Sequence, residues 1–177
     1  ALDCGAVAAI HPFYTAAVRE FEDAGKPIIG SAPVGVEGTN SWIDSVGDTF
    51  NIAKKIIREA KQKILPQIQK SLDDKKINNK ITVSGYEGSE LIVARTLIEA
   101  GAEVPYVGTA CPKTKGSTED KDWLESKGVF VKFRASLEDD ISAVKSVNPD
   151  LAIGTTPVVQ KAKELGIDAC VQAQVHD

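Results

Sequence analysis

The stretch Ser84–Glu90, with the sequence SGYEGSE, has the residue types of a ligand-binding turn. Gly85 and Gly88 tolerate backbone angles that other residues avoid, and they let a neighbouring group come close to the chain. The helix expected to follow would begin with free N–H groups and a partial positive charge, which suit an anion or the polar edge of a ligand. The stretch lacks the GxGxxG pattern and no P-loop lysine follows it, so a nucleotide fingerprint is absent.

The side chains of this turn allow two interpretations. Tyr86 and Ser89 would line a ligand site, and Glu87 and Glu90 would donate protons if burial raised their pKa. Solvated surface carboxylates are more common, however. The turn would then be only a tight strand-to-helix connection, with Tyr86 packed on the domain below.

Further polar residues follow other predicted strands. His11 lies between an apolar strand and a proline, and we interpret it as a cap at a helix start, with a ligand or an acid as alternatives. Thr109 follows one strand, and Thr155 and Thr156 follow another, where capping would explain their hydroxyls. The loop Ser31–Thr39 is expected at the same edge. Ligands in open parallel sheets bind beyond the carboxyl ends of the strands, so these residues form one candidate site.

The three cysteines, Cys4, Cys111 and Cys170, lie far apart and form no CxxC pair. This spacing indicates reduced thiols in a cytosolic protein. Cys111 is expected to be a small buried apolar residue, because it has no partner at metal-ligand spacing. The sequence predicts no metal site.

Apolar runs alternate with amphipathic segments from Lys80 onward. The runs predict strands at Ile81–Ser84, Val104–Gly108, Val129–Arg134, Leu151–Gly154 and Ile167–Val171. The amphipathic segments predict helices near Ser89–Ala100, Thr118–Lys127, Leu137–Val147 and Pro157–Leu165. Ser136 and Asp139 have capping-box spacing, and Thr156 is the expected N-cap of the last helix. The fold class is therefore α/β, with Rossmann-like parallel sheet layers.

The same alternation predicts three regions. Residues 1–47 are the end of a first Rossmann-like domain, residues 48–79 a linking helix and linker, and residues 80–177 a second Rossmann-like domain. The linking helix is expected over Thr49–Leu72, with a kink or end at Pro66. The chain has no start methionine, which suggests a piece of a longer polypeptide or a processed one. An incomplete first domain would self-associate or stay partly mobile.

Composition excludes several classes of function. The net charge is −4 and the basic residues are scattered, which argues against a nucleic-acid partner. No apolar run approaches the roughly 20 residues that span a bilayer. A cytoplasmic location is therefore expected.

Several longer strings resemble the Y-subunit family of chlorophyllide a reductase, a nitrogenase-like, light-independent enzyme of bacteriochlorophyll synthesis. The resemblance runs from about Ala1 to Ile167. The strings are AIHPFYTAAVREFE, GSAPVGVEGT, ITVSGYEGSELIVARTLIEAGAE, PYVGTACP and FRASLEDD…NPDLAIGTTPVVQKAKE. The final residues, CVQAQVHD, depart from the family and leave His176 and the last strand unassigned.

The resemblance implies a fold of the nitrogenase component 1 type and a reaction. Subunits Y and Z would form a heterotetramer that reduces the C7=C8 double bond of a bound chlorophyllide. An ATP-hydrolysing iron–sulfur subunit, X, would deliver electrons one at a time through a [4Fe–4S] cluster. The cluster's cysteine ligands match none of the cysteines here, so this chain alone would be inactive and would bind no ATP.

The resemblance also implies that Gly85–Ser89 lines a central cavity for the tetrapyrrole, with His11, Thr109, Thr155 and Thr156 on the same edge. Two alternatives remain open: a non-catalytic module that binds a tetrapyrrole or another small molecule, and a scaffold for cofactor assembly. Cluster cysteines upstream in the full reading frame would favour the enzyme.

Overall fold

The structure is a computed structural model that describes residues 3–30 and 32–171. Its strands are β1 (Val7–Ala9), β2 (Ile28–Gly30), β3 (Lys80–Gly85), β4 (Glu103–Thr109), β5 (Phe130–Phe133), β6 (Leu151–Gly154) and β7 (Asp168–Val171). Its helices are α1 (Thr15–Asp23), α2 (Gly35–Thr49), α3 (Lys54–Asp73), α4 (Glu90–Glu99), α5 (Lys115–Ser126), α6 (Leu137–Val147) and α7 (Thr156–Glu164). His176 and the part of the divergent end that follows Val171 lie outside the described residues.

The larger sheet is parallel throughout and has the strand order β5-β4-β3-β6-β7. The chain runs outward from β3 to β5 and then crosses back to β6, beside β3. This reversal is a topological switch point, where open α/β sheets bind ligands. The α/β prediction is confirmed, and all five predicted strands are present within two residues of their expected bounds.

Helices cover both faces of this sheet, so its central strands are apolar on both sides. One face packs on α4 and α5 around Val83, Val107 and Leu124, none of which is exposed. The opposite face packs on α6 and α7 around Val144 and Val158. This second face also carries polar residues of β3 and β4.

The smaller sheet contains β1 and β2, which pair in parallel. Helix α1 connects them but buries none of its residues. Helix α2 follows β2 and packs against both α3 and α4. This unit of two strands therefore meets the larger sheet chiefly through α2 and the loop that precedes α1.

The helix predicted over Thr49–Leu72 is present as α3 and begins five residues later than expected, because Thr49 is the last residue of α2. The two helices are divided at Asn51, which has a left-handed φ of 50°. The predicted loop Ser31–Thr39 is wrong in its second half, since α2 begins at Gly35. Pro66 lies inside α3 and does not end it.

The early start of α2 depends on a distant side chain. No side chain caps the helix locally, and the carboxylate of Glu99, at the end of α4, accepts a hydrogen bond from the Val36 N–H instead. That carboxylate also occupies the space that a Cβ on Gly35 would need. A capping group 63 residues away leaves no local signal in the sequence.

A polar junction holds α2 against α4 and α5. Arg95 of α4 forms a buried ion pair with Asp120 of α5, and its guanidinium lies 4.6 Å from the centre of the Trp123 ring. The Trp123 Nε1–H donates to Glu37 of α2 at 2.5 Å. This hydrogen bond, with the nearby Lys127, lowers the pKa of Glu37. Burial raises the pKa of Asp120, although Arg95 opposes the shift.

The helix starts agree with prediction at one position and differ at two. Ser136 and Asp139 form the expected capping box of α6. Helix α5 begins at Lys115, three residues early, because Thr114 and Ser117 form a second capping box. The N-cap of α7 is Thr155 and not the expected Thr156. Within residues 3–30 and 32–171, no helix combines the length and apolarity needed to cross a bilayer.

Candidate functional site

The turn between β3 and α4 stands at the switch point of the larger sheet. Gly85 is the last residue of β3, and Ser89 is the N-cap of α4. Thr155, which follows β6, comes after the neighbouring strand at the same edge. Topology therefore puts these two loops beside each other, as parallel strand order requires.

Glu90 fixes the shape of the turn from below. It is fully buried, and its Oε1 accepts hydrogen bonds from the N–H groups of Glu87 at 2.8 Å and Gly88 at 3.2 Å. Its Oε2 accepts one from the Thr109 hydroxyl at 2.5 Å. The carboxylate thus ties the turn to the end of β4. The interpretation of Glu90 as a solvated surface carboxylate is wrong.

Gly88 is required at its position for two reasons. Its φ of +80° is left-handed, and a Cβ there would lie 2.9 Å from the ring of Phe13. Phe13 belongs to the loop between β1 and α1, so the two sheets come into contact here. Glycine in this turn does permit close approach, but the group that approaches is a side chain of the same protein.

The loop that carries Phe13 is aromatic and open. The rings of Phe13 and Tyr14 lie 5.7 and 5.5 Å from the His11 ring, and both are exposed. His11 Nδ1 accepts a hydrogen bond from the Phe13 N–H at 3.3 Å, so His11 caps this turn and does not cap α1 itself. Tyr86, in the turn that Phe13 contacts, is 51% exposed.

Two cavities lie between the small sheet and the larger one. The first has a volume of about 670 Å³ and is lined by His11, Tyr14 and residues 113–116 at the start of α5. The second holds about 30 Å³, close to one water molecule, between Pro12 and Gly88. The structure thus brings His11 and the glycine turn to one junction.

The remaining predicted residues are less closely grouped. Thr109 is buried beneath the turn, where its Oγ1 also accepts from the Cys111 N–H at 2.9 Å. Thr155 and Thr156 line neither of the two cavities. The Thr155 hydroxyl is buried and has no hydrogen-bond partner among the described residues. His11 and the turn come together, whereas the two threonines stand apart on the β6 side.

Sequence reasoning missed a buried polar pair on the α6 face of the sheet. Tyr106 of β4 donates a 2.8 Å hydrogen bond to Oδ1 of Asp140 in the first turn of α6, and Asp140 is 1% exposed. Burial raises the pKa of Asp140 to about 6, against an opposing effect of that hydrogen bond. Asp140 follows two other acids at a helix start, a pattern that capping explains, so its burial left no signal.

The cysteines do not form a cluster site. Cys4 is half-buried, Cys111 is buried and Cys170 is exposed, each on a different segment. Burial raises the pKa of the Cys111 thiol to about 11, so this group stays protonated and is a poor metal ligand. In the described part of the chain, no three His, Cys, Asp or Glu side chains are gathered for a metal ion. These residues do not fit an iron–sulfur cluster.

Replacing Glu90 with glutamine should destabilise the turn. The amide keeps one acceptor oxygen but places an NH₂ group against either the Thr109 hydroxyl or the two backbone N–H donors. We expect the free energy of unfolding to fall by about 1–3 kcal/mol in urea denaturation. Glu87→Gln, beside it and only half-buried, should change it by less than about 0.5 kcal/mol. Equal losses of unfolding free energy in both variants would contradict the conclusion that the Glu90 carboxylate ties the turn to β4.

Comparison with known proteins places the chain in a family. Residues 1–175 match the family model described as nitrogenase component 1 type oxidoreductase, and the chain belongs to this family. A solved structure described as nitrogenase Cp1 at pH 6.5 aligns with 96% of this chain and 38% of its own, with a TM-score of 0.65. At 20% identity, that likeness shows the fold alone.

Its more similar relatives share a more specific description. The chain is 60% identical to the chlorophyllide reductase 52.5 kDa chains of Cereibacter sphaeroides and Rhodobacter capsulatus, over 94% and 96% of its length. It is 25% identical to the light-independent protochlorophyllide reductase subunit N of Prochlorococcus marinus, over 80% of its length. The chain spans about a third of the length of each relative, 33%, 34% and 35% in turn.

Proposed function

We propose that this chain is part of subunit Y of a light-independent chlorophyllide a reductase, within the catalytic component of that enzyme. The observation that carries the proposal is 60% identity, along nearly the whole chain, to proteins described as chlorophyllide reductase chains. Assignment to subunit Y, as distinct from subunit Z, rests on the strings of the resemblance, among them the turn SGYEGSE.

The reaction we propose is reduction of the C7=C8 double bond of the chlorin ring. It consumes two electrons and two protons. Electrons come singly from an ATP-dependent iron–sulfur reductase, subunit X, and pass through a [4Fe–4S] cluster held with subunit Z. No ligand of that cluster is assigned to this chain, since its cysteines do not fit one. Its own residues would bind and orient the substrate.

The proposed binding surface is the glycine turn Gly85–Ser89 together with the loop of His11. Phe13, Tyr14 and Tyr86 expose aromatic faces there, and a planar macrocycle needs mainly apolar contact with a few placed polar groups. Glu87 is half-buried beside Tyr86 and would supply one polar group. Thr109 stands behind the turn and acts through Glu90. Thr155 and Thr156 are proposed as a flanking contact.

Tyr86 provides a direct test of this surface. Because its ring is half-exposed, Tyr86→Ala should cost less than about 0.5 kcal/mol of folding stability. In the full-length Y–Z complex it should weaken chlorophyllide binding by roughly tenfold, since a stacked aromatic contact contributes about 0.5–1.5 kcal/mol beyond its buried area. Fluorescence titration with chlorophyllide measures the affinity, and thermal denaturation measures the stability.

Phe50, in the turn after α2, is a matched control because it is also 50% exposed. Phe50→Ala should leave chlorophyllide affinity unchanged. If Tyr86→Ala lowers the melting temperature but not the affinity, the turn has only a packing role.

The reaction itself is tested by anaerobic reconstitution of the full-length protein with its two partners, with ATP and a reductant supplied. The expected result is reduction of the C7=C8 double bond, which is measured by the shift of the chlorin absorption bands. Binding of chlorophyllide without reduction would instead identify a binding module. Absence of binding would favour the scaffold.

A further inference from the structure

Asp140 and Tyr106 form a buried acid–hydroxyl pair between α6 and β4. Asp140 is 1% exposed, yet no cation pairs with it among the described residues: the nearby Lys132 forms its ion pair with Asp139. A buried carboxylate without a cation is costly, whereas a neutral carboxyl group is not. The Tyr106 hydroxyl is its hydrogen-bond donor in the described part of the chain.

The backbone makes room for this pair at Gly108. A Cβ on Gly108 would collide with Oδ1 of Asp140 and would lie 2.8 Å from the Tyr106 hydroxyl. The Tyr106 ring therefore leans along β4 toward the carboxyl end of the strand, over Gly108. The acid and the hydroxyl meet one residue before the end of the strand.

The register of β3 and β4 places Gly108 close to the turn that follows β3. Gly108 pairs with Ser84 on β3, two residues before Tyr86 in the turn that follows this strand. Burial raises the pKa of the Tyr106 hydroxyl most, followed by the hydrogen bond to Asp140 and the charges of Asp140 and Asp139, and Tyr86 adds a smaller effect. The pair thus lies near the edge of the sheet from which the turn of Tyr86 leaves.

The charges that act on Asp140 come from several elements. Asp139 of its own helix and Glu90 of α4 raise its pKa, and Lys132 of β5 lowers it, whereas burial is the largest influence. β3 faces α6 with the uncharged Thr82 and Ser84. From α7, Val158 and Ala162 join the apolar cluster around Val144. The carboxyl group therefore holds its proton to a higher pH than an ordinary aspartate.

We propose that Asp140 and Tyr106 form a proton store that supplies one of the two protons consumed when a chlorin is reduced beside Tyr86. This inference rests on the proposed function. The electron pair reaches the ring from the iron–sulfur reductase. Tyr86 gives its hydroxyl proton to the reduced ring carbon while Tyr106 gives its proton to Tyr86 and Asp140 gives its proton to Tyr106. One C–H bond forms, the carboxyl O–H bond of Asp140 breaks, and both hydroxyl groups keep a proton. Asp140 becomes a carboxylate and is reprotonated from solvent.

The first test is spectroscopic and independent of turnover. The infrared spectrum of the full-length Y–Z complex should contain a protonated carboxyl band that titrates near pH 6. Asp140→Asn should remove this band, while Glu138→Gln, on the exposed side of the same helical turn, should keep it. Absence of a titrating band, or a band unaffected by Asp140→Asn, would overturn the proton store.

The second test uses turnover in the reconstituted enzyme across pH 5–8. Asp140→Asn should reduce the rate of chlorophyllide reduction at least tenfold and remove its decline above about pH 6, with chlorophyllide affinity unchanged. Tyr106→Phe keeps the ring and should give a similar loss of rate while the Asp140 band remains. It therefore tests the relay even if Asp140→Asn misfolds.

The outcomes separate the two proposals. If the wild-type complex reduces chlorophyllide and both variants keep its rate and pH profile, the proton store is overturned and the proposed function stands. If the wild-type complex binds its partners but does not reduce chlorophyllide, the proposed function is overturned and the store with it.

Discussion

Replacing Arg95 with alanine is expected to lower the free energy of unfolding by about 3–5 kcal/mol. The change leaves Asp120 buried without its partner and removes the guanidinium from the face of Trp123. An uncompensated buried charge accounts for most of this loss, because a carboxylate in the interior has neither water nor a cation to stabilise it. Urea denaturation followed by circular dichroism gives the value.

Two further variants isolate the cause. Lys121→Ala breaks an exposed i,i+4 ion pair with Glu125 on the same α5, and should cost less than about 0.5 kcal/mol. The double variant Arg95→Met with Asp120→Leu should recover much of the stability lost in Arg95→Ala, because no buried charge remains. A loss in Arg95→Ala no larger than in Lys121→Ala would refute the buried ion pair.

Gly108→Ala is expected to be the second most damaging change. The new methyl group would collide with Oδ1 of Asp140 and lie 3.1 Å from the Cβ of Ala135. Overpacking of this kind costs about 1–3 kcal/mol. If the carboxyl group moves away, the Tyr106 hydroxyl loses its acceptor, which adds about 1–3 kcal/mol. The melting temperature and the free energy of unfolding in urea measure the effect.

Gly30→Ala is the matched control, since Gly30 also ends a strand and no described atom lies within 4 Å of the position that its new methyl group would take. It should be neutral or slightly stabilising, because alanine restricts the unfolded chain. If both variants are tolerated equally, the space at Gly108 is not limiting and the placement of Asp140 against β4 is wrong.

The elements of the larger sheet were predictable because the sequence signals that mark them lie within or next to each element. Leu151–Gly154 and Leu137–Val147 match their predicted bounds, since an apolar run of the right length and a capping box each mark where an element begins and ends. The start of α2 was not predictable, because Glu99 supplies its cap from another helix. Contacts between distant segments decide such boundaries, and a single sequence does not display them.

The candidate site was predictable to a similar extent. The predicted parallel strands alone placed the glycine turn at the carboxyl edge of the sheet, and the loop of His11 does reach it, through Phe13. The side chains behind the turn were not predictable. Glu90 and Asp140 look like surface acids in the sequence, and only packing reveals that both are buried. Burial of a charged residue depends on partners from other elements, so patterning gives no warning of it.

Helix α4 has a buried or bridging glutamate at both ends. Glu90 accepts a hydrogen bond from the backbone of the turn in the proposed binding surface, and Glu99 accepts one from the first turn of α2. A helix of 10 residues is a rod of about 15 Å. A displacement of α2 would therefore be passed along α4 to the turn, so the position of one helix would affect the shape of the proposed binding surface.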